Sequence, residues 1–466
     1  MSTETDNRDR LFTEYSEFSD GTQETNQENC NDYIERLTKA RRSYRSNPFW
    51  KGFALWLFVI AVIGIALLEV SPNILETTIK SRFDPKNQNT DLKTYIIGNV
   101  VPNLLLATLL CWFGCYFGIR TALIMLVGCL LMVHISITVG ITSLNNELTL
   151  IACNISSWLS QIGIFVLIPV AIAKWTDRKH LGRDFGIVFA ALGAARLCSI
   201  KLWDYVTHGK YHSFEILVWL LFIPTVISGI SIFIWVYLDR RADQMESHAH
   251  ANRSFDCFPK PRDLKQIDKL SIIACVINCF ASAAVVMFTK WVLISLNESK
   301  SYETELIPNY ALVIFFSQIT GSFITGFFND VLGYRGHSIL FGAFCGFIGF
   351  FAILVNSGLL RSSATVPLTL ISIAQGIILT SAYSSTCLII PQKVYGVVFG
   401  SQIFIQGMLN VINRVVESYY QESSTKLFEN YAVNLETTLM MLTALVLAIL
   451  LLATDRQEKL KRPYNF

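Results

Sequence analysis

Runs of about 20 mostly apolar residues, the length a helix needs to cross a bilayer, recur along this chain from residue 53 to residue 453. They fall near 53–72, 93–117, 121–143, 148–173, 185–206, 214–238, 270–295, 308–328, 337–358, 366–389, 395–418 and 432–453. Short breaks holding glycine, charge or both separate them. Backbone polar groups in lipid find no water and must be satisfied within the segment, so the runs predict helices rather than open strands. The longest polar interruption, residues 240–267, has no apolar period and predicts a linker. It divides the chain into a six-helix bundle over 50–239 and another over 268–455. Two bundles of this kind organise many transporters, with the solute held between them near the midplane. Residues 1–49, rich in Glu, Asp, Ser, Thr and Asn, predict a disordered tail, and 456–466 a second, short one.

Composition sharpens the picture. The chain is 52% hydrophobic and 16% charged, against roughly 25% charged in soluble domains. Much of its surface therefore needs lipid as solvent. A net charge of +3 is too small to draw nucleic acid. Most of the eleven cysteines lie inside apolar runs and none forms a paired CxxC. They predict small packing residues, not a zinc site or a disulfide framework. The first apolar run begins near Phe53, too far in for a cleavable signal, so it is expected to remain as a span. No G-x-S-x-G, H-E-x-x-H or P-loop occurs, so neither enzyme chemistry nor a metal or cofactor is expected.

Basic residues set the orientation, because short loops rich in Lys and Arg stay in the cytosol. The clusters lie at 39–45, 174–183, 239–265 and 455–462. Twelve spans put all four on one side, with both tails and the linker cytosolic. Residues 73–92 run against the bias with Lys80, Arg82 and Lys86. Asn297, in Asn-Glu-Ser, is then an outer-side glycosylation sequon. The sequons at Asn252 and Asn154 fall in the cytosol and inside a span, where they stay unmodified.

One break carries more than punctuation. GFFNDVLGYRG (326–336) joins the eighth and ninth spans. Gly326 permits close helix packing, and Gly333 permits the positive φ of a tight turn. Asp330 suits a neighbouring helix N-terminus, and Arg335 suits a partner carboxylate. Together they predict a polar latch that forms on one side of the membrane and breaks when the bundles rock. The pattern G-x-x-x-D-x-x-G-x-R resembles the signature loop of the major facilitator superfamily. The matching break of the first half, LLCWFGCYFGIRT (109–121), keeps Gly118 and Arg120 but has Gly114 or Cys115 where the acid belongs.

Further stretches narrow the resemblance. They are WTDRKHLGRDFG (175–186), YLDRRAD (237–243), DLK (263–265), FTKW (288–291) and LIIPQKVYGVVFGSQIFIQGMLNVI (388–412). They look like the major facilitator superfamily domain-containing protein 1 family, the lysosomal dipeptide transporters. That resemblance covers residues 53 to about 455. It implies a uniporter exporting dipeptides, especially cationic ones, from lysosomes, with a single-span, glycosylated lysosomal accessory protein as partner. It also implies an arginine and a glutamate in the fourth span, at positions that fall near Asn154 and Ile162 in this chain. Neither is charged, which removes the attraction for a cationic solute. RDRLF (8–12) only approximates an acidic dileucine address. A lysosomal membrane is expected ahead of the plasma membrane. Two alternatives stand beside this reading: a sensor of the same fold that does not transport, and a cell-surface carrier of another small solute.

Ionisable residues inside spans are costly and mark function by default. Arg196 lies near the middle of the fifth span, among small residues, and resembles a cavity arginine of that family. A guanidinium there could take a solute carboxylate through two parallel hydrogen bonds. Lys290 follows, near the outer end of the seventh span, where snorkelling to the interface is the plainer use. Glu69 could receive a solute amine or pair with Arg196 or Lys290. Asn154, Trp158 and Gln161 share one helical face. Gln402, Gln406, Asn410 and Asn413 form a polar stripe on the eleventh span. His134, alone in the third span, reads as a packing residue.

Overall fold

The computed structural model describes residues 47–83, 118–142, 159–208, 214–249, 267–298, 306–355, 365–391, 394–423 and 426–455, with Arg45, Ala152, Ile155, Leu264, Lys265 and Leu460. Among them are eleven helices and no strand. They are α1 (Pro48–Phe83), α2 (Ile119–Thr142), α3 (Leu159–Trp175), α4 (Leu181–His208), α5 (Phe214–Ala249), α6 (Lys269–Glu298), α7 (Leu306–Leu332), α8 (Arg335–Val355), α9 (Thr365–Ile389), α10 (Tyr395–Ser423) and α11 (Lys426–Thr454). Among the described residues, eight helices hold stretches long and apolar enough to cross a membrane: α1, α2, α5, α6, α7, α8, α9 and α11. The expected second span, 93–117, lies outside the described residues.

The exposed faces explain why the chain needs lipid. On α8, Phe341, Phe344, Ile348, Phe351 and Val355 follow one another at helical spacing and all are exposed. Water would penalise such a stripe, and hydrocarbon does not. The opposite face of α8 is built from Ile339, Ala343 and Phe350, buried against Ile371 and Ile378 of α9 and Met441, Ala444 and Ala448 of α11. α6 closes this second-half core with Ile277, Ala281 and Phe288, the last set edge-on to Phe350 at 5.3 Å.

Small residues bring helices together where the hydrophobic effect cannot, since lipid is as apolar as the side chains. In the first half, Gly64 of α1 lies against Pro224 and Ser228 of α5, and Ser228 donates to the Ala61 carbonyl. Gly163 of α3 seats Leu126 of α2. Ser199 of α4 donates to the Leu67 carbonyl of α1. α4 also packs along α7 and against α9, tying the first half to the second.

By contacts the chain divides into two compact units, one of residues 1–50 and 238–254 and one of 51–237 and 255–466. In the smaller unit, Arg45 pairs with Asp239 and Asp243, which lie one turn apart on α5. α5 runs on to Ala249, into the stretch expected to be linker. Asp239 is fully buried, and a buried carboxylate needs such a partner. Residues 250–263 of the expected linker lie outside the described residues.

Candidate functional site

The α4–α7 seam ends in the polar break at 326–336. Gly333 has φ 71°, a region open to glycine and strained for other residues. Its turn lets α7 stop at Leu332 and α8 start at Arg335. The first residues of a helix have N–H groups with no intrahelical acceptor. At the start of α4 two of these, Gly182 and Arg183, donate to Asp330 Oδ1 and Oδ2 at 2.9 and 2.7 Å. The carboxylate thus caps a helix from the other half of the chain, where the dipole favours a negative charge. Arg335 Nη2 donates to Asp330 Oδ1 at 3.0 Å. Arg335 is 3% exposed, so this ion pair sits largely away from water. Beside it Arg183 Nε reaches Asp184 at 2.9 Å, and Thr176 donates to the same carboxylate at 2.9 Å. Lys51 pairs with Asp177 in the adjoining turn. Gly326 makes the approach possible, since its backbone lies against Gly182 and Gly186. The matching first-half glycine, Gly118, has φ 86°. Gly114 and Cys115 lie outside the described residues.

One layer further in, an aromatic cluster joins four helices. Tyr383 of α9 stacks on Phe399 of α10 with centroids 4.7 Å apart. It meets Phe189 of α4 at 5.2 Å and Phe185 at 6.0 Å. Phe165 of α3 stacks on Phe189 at 6.4 Å. Phe185, Phe189, Tyr383 and Phe399 are all buried. The Tyr383 hydroxyl donates to the Phe165 carbonyl at 2.8 Å and accepts from Gln402 Nε2 at 3.2 Å. α9 reaches this depth because the residues around Tyr383 are small: Thr380, Ser381, Ala382, Ser384, Ser385 and Thr386 are all buried. The Ser384 and Ser385 hydroxyls bond the Ser381 carbonyl of their own helix.

Arg196 belongs to the same face. At about 100° per residue, positions 185, 189 and 196 of α4 fall within one narrow stripe. Phe185 and Phe189 fix that stripe toward α9. Seven residues beyond Phe189, Arg196 lies about 10 Å farther along the axis, on the side of the cluster away from the Asp330 cap. Its neighbour Leu197 packs on the second-half core, and Ser199 faces α1. Arg196 is 8% exposed.

The other expected residues scatter. Gln161 on α3 and Gln406 on α10 are half-buried, and Gln402 is buried within the aromatic cluster. Glu69, Lys290, Asn297 and Asn410 lie on helical backbone, but their side chains are outside the described residues, as are Asn154 and Trp158. His134 packs its ring against Phe222 at 5.4 Å. Ile162, where the resemblance implied a glutamate, is fully buried. Among the described residues no group of His, Cys, Asp and Glu could hold a metal.

Two features escaped the sequence reading. Tyr383 lies inside an apolar run with nothing local to mark it, and the signal lies elsewhere, in a proline four residues after Phe165. Gln318, at the centre of α7, is fully buried with neither amide atom hydrogen-bonded. A glutamine inside an apolar run was visible, but its burial was not.

Comparison places this architecture. The family model "Major Facilitator Superfamily" matches residues 94–412, more than half of the chain, and the chain belongs to that superfamily of membrane transporters. No curated protein matches it. Among solved structures it is similar to the proton:xylose symporter XylE, at 13% identity and TM-score 0.62, over 84% of this chain and 95% of that one. It is similar to the human organic anion transporter MFSD10 (TETRAN), at 13% identity and TM-score 0.62, over 86% and 100%. A bacterial homologue of the iron transporter ferroportin, in its outward-facing state, gives 12% identity and TM-score 0.64 over 86% and 99%. Identities this low establish a shared fold.

Proposed function

We propose that the chain carries a small carboxylate-bearing solute across a membrane by alternating access. The reading rests on the stripe on α4, where ring contacts turn Phe185 and Phe189 toward α9 and helical spacing sets Arg196 on the same side. A guanidinium above an aromatic plug offers a planar pair of donors to a carboxylate in a setting that excludes water from one side. The basic loops put the Asp330 cap on the cytosolic side. With the cap and the aromatic cluster packed, that side is closed, and solute enters from the lumenal or outer face. Gln161, Gln402 and Gln406 add neutral hydrogen-bonding groups.

By the resemblance above, the solute is a dipeptide, the transport is uniport, and the membrane is lysosomal. Ile162 narrows the class further. With a buried aliphatic side chain where a carboxylate was implied, the fourth span has no counter-charge at that position for a cationic side chain. Neutral dipeptides are therefore preferred over cationic ones. A lysosomal accessory protein, if engaged, would meet the lumenal side. Uptake into proteoliposomes tests the reading with neutral, cationic and anionic dipeptides, single amino acids, sugars and organic anions. Saturable uptake of neutral dipeptides is expected. Flux of sugars or organic anions alone would replace the solute. A ligand-induced thermal shift with no flux of any of them would make the chain a sensor of the same fold. Imaging a tagged copy decides between lysosome and cell surface.

A further inference from the structure

We propose that Tyr383 is the pin of the cytosolic gate, holding it shut by docking its hydroxyl on a carbonyl that Pro169 has left without its helical donor. The proposal rests on the alternating-access reading and adds to it the residue that sets the closed state. In an α-helix the carbonyl of residue 165 accepts from the N–H of residue 169. Residue 169 is proline and has no N–H. α3 responds at this place by widening into a π turn over Gly163–Leu167, with the Ile168 N–H bonded back to the Gly163 carbonyl. Such turns are rare and cluster at functional sites. The Phe165 carbonyl faces the second half of the chain, and Tyr383 Oη donates to it at 2.8 Å.

The surroundings make this bond a switch. The remaining capacity of the hydroxyl is used by Gln402 Nε2 at 3.2 Å, so one oxygen joins α3, α9 and α10. Tyr395, the other phenol in the cluster, donates within its own half, to the Cys387 carbonyl. Ring-on-ring packing accepts several offsets over a range of centroid distances, whereas a hydrogen bond to one carbonyl selects one register. Parting the halves leaves the hydroxyl hydrogen without an acceptor and the carbonyl without a donor unless water enters with them. Opening and wetting are thereby coupled, and the closed state is discrete.

The thiol of Cys387 supplies the readout. It lies one turn from Tyr383 toward the cytosolic end of α9 and is 1% exposed, so it labels slowly while that end stays packed. Full-length protein in vesicles is treated on the cytosolic face with a membrane-impermeant maleimide, and labelling of the Cys387 peptide is followed by mass spectrometry. Tyr383→Phe keeps the ring and removes the donor. It is expected to label about fivefold faster, which is about 1 kcal/mol at 1.4 kcal/mol per tenfold. Pro169→Ala returns an N–H that competes for the same carbonyl and is expected to act in the same direction. The double variant is expected to label no faster than the faster single one. An unchanged rate in Tyr383→Phe, or rates that multiply in the double variant, overturns the proposal. If Tyr383→Phe does not fold, an unchanged rate in Pro169→Ala overturns it alone. Labelling needs no solute, so a wild type without flux would sink the transport reading and leave this test intact.

Discussion

Gly182 of α4 and Gly326 of α7 meet backbone to backbone: a Cβ on Gly182 would stand 2.7 Å from the Gly326 carbonyl oxygen, and one on Gly326 would stand 2.6 Å from that of Gly182. Neither contact is with a flexible side chain, so neither can be relieved by a rotamer change. The same Cβ on Gly182 would also lie 2.6 Å from Asp330 Oδ1. One glycine pair therefore sets both the helix spacing and the reach of the cap.

Gly326→Ala and Gly182→Ala are expected to destabilise the protein by about 1–3 kcal/mol, the cost of overpacking a close contact. Thermal unfolding in detergent measures it. Gly52, within α1 and with open space around its Cβ position, is the control, and Gly52→Ala should not lower the midpoint. Equal midpoints for all three variants would refute the close seam.

Asp330→Asn removes the charge and turns an amide N–H₂ toward a backbone N–H. One of the two capping bonds is lost, along with the ion pair to Arg335. Hydrogen bonds to charged groups contribute about 1.5–3 kcal/mol, so the closed state should weaken by that order. Cys387 labelling from the cytosolic face should rise about tenfold or more, and net uptake should fall. Unaltered labelling would mean the cap does not hold the closed state.

Arg196→Ala should abolish uptake with expression retained. Arg196→Lys should recover part of it, because an ammonium cannot make the two parallel bonds of a guanidinium. Wild-type uptake by Arg196→Ala would remove this residue from the solute site.

Gln318→Leu should raise the thermal midpoint. A buried amide with neither atom bonded costs about 1–3 kcal/mol, and an apolar group of similar shape removes that cost. A lower midpoint would show that the amide has a partner in the folded state.

Parts of the site were legible because they are local. Asp330, Gly333 and Arg335 lie within six residues of one another, and the turn they make depends on glycine chemistry alone. What Asp330 caps was not legible, since Gly182 is 148 positions away in the chain. Arg196 stood out as a charge in an oily run, but its alignment with Phe185 and Phe189 gained meaning only when α9 was found opposite them. Tyr383 carried no local signal, because a tyrosine in a serine-rich stretch of span reads as packing. Pro169 did carry one, four residues after Phe165, but only the structure shows which hydroxyl reaches that carbonyl.

By itself the sequence determined that the chain is a bundle of membrane helices, and where the turn at Gly333 falls. Those follow from the free energy of moving apolar groups into lipid and of leaving no backbone group unbonded there, and both are read residue by residue. Tertiary structure alone decided which helix meets which, that α4 of one half packs on α7 and α9 of the other, and that a phenol reaches a carbonyl 218 residues distant. Lipid solvates every apolar face about equally, so the partners are chosen by the fit of glycines, serines and buried polar atoms between helices, which no single segment encodes.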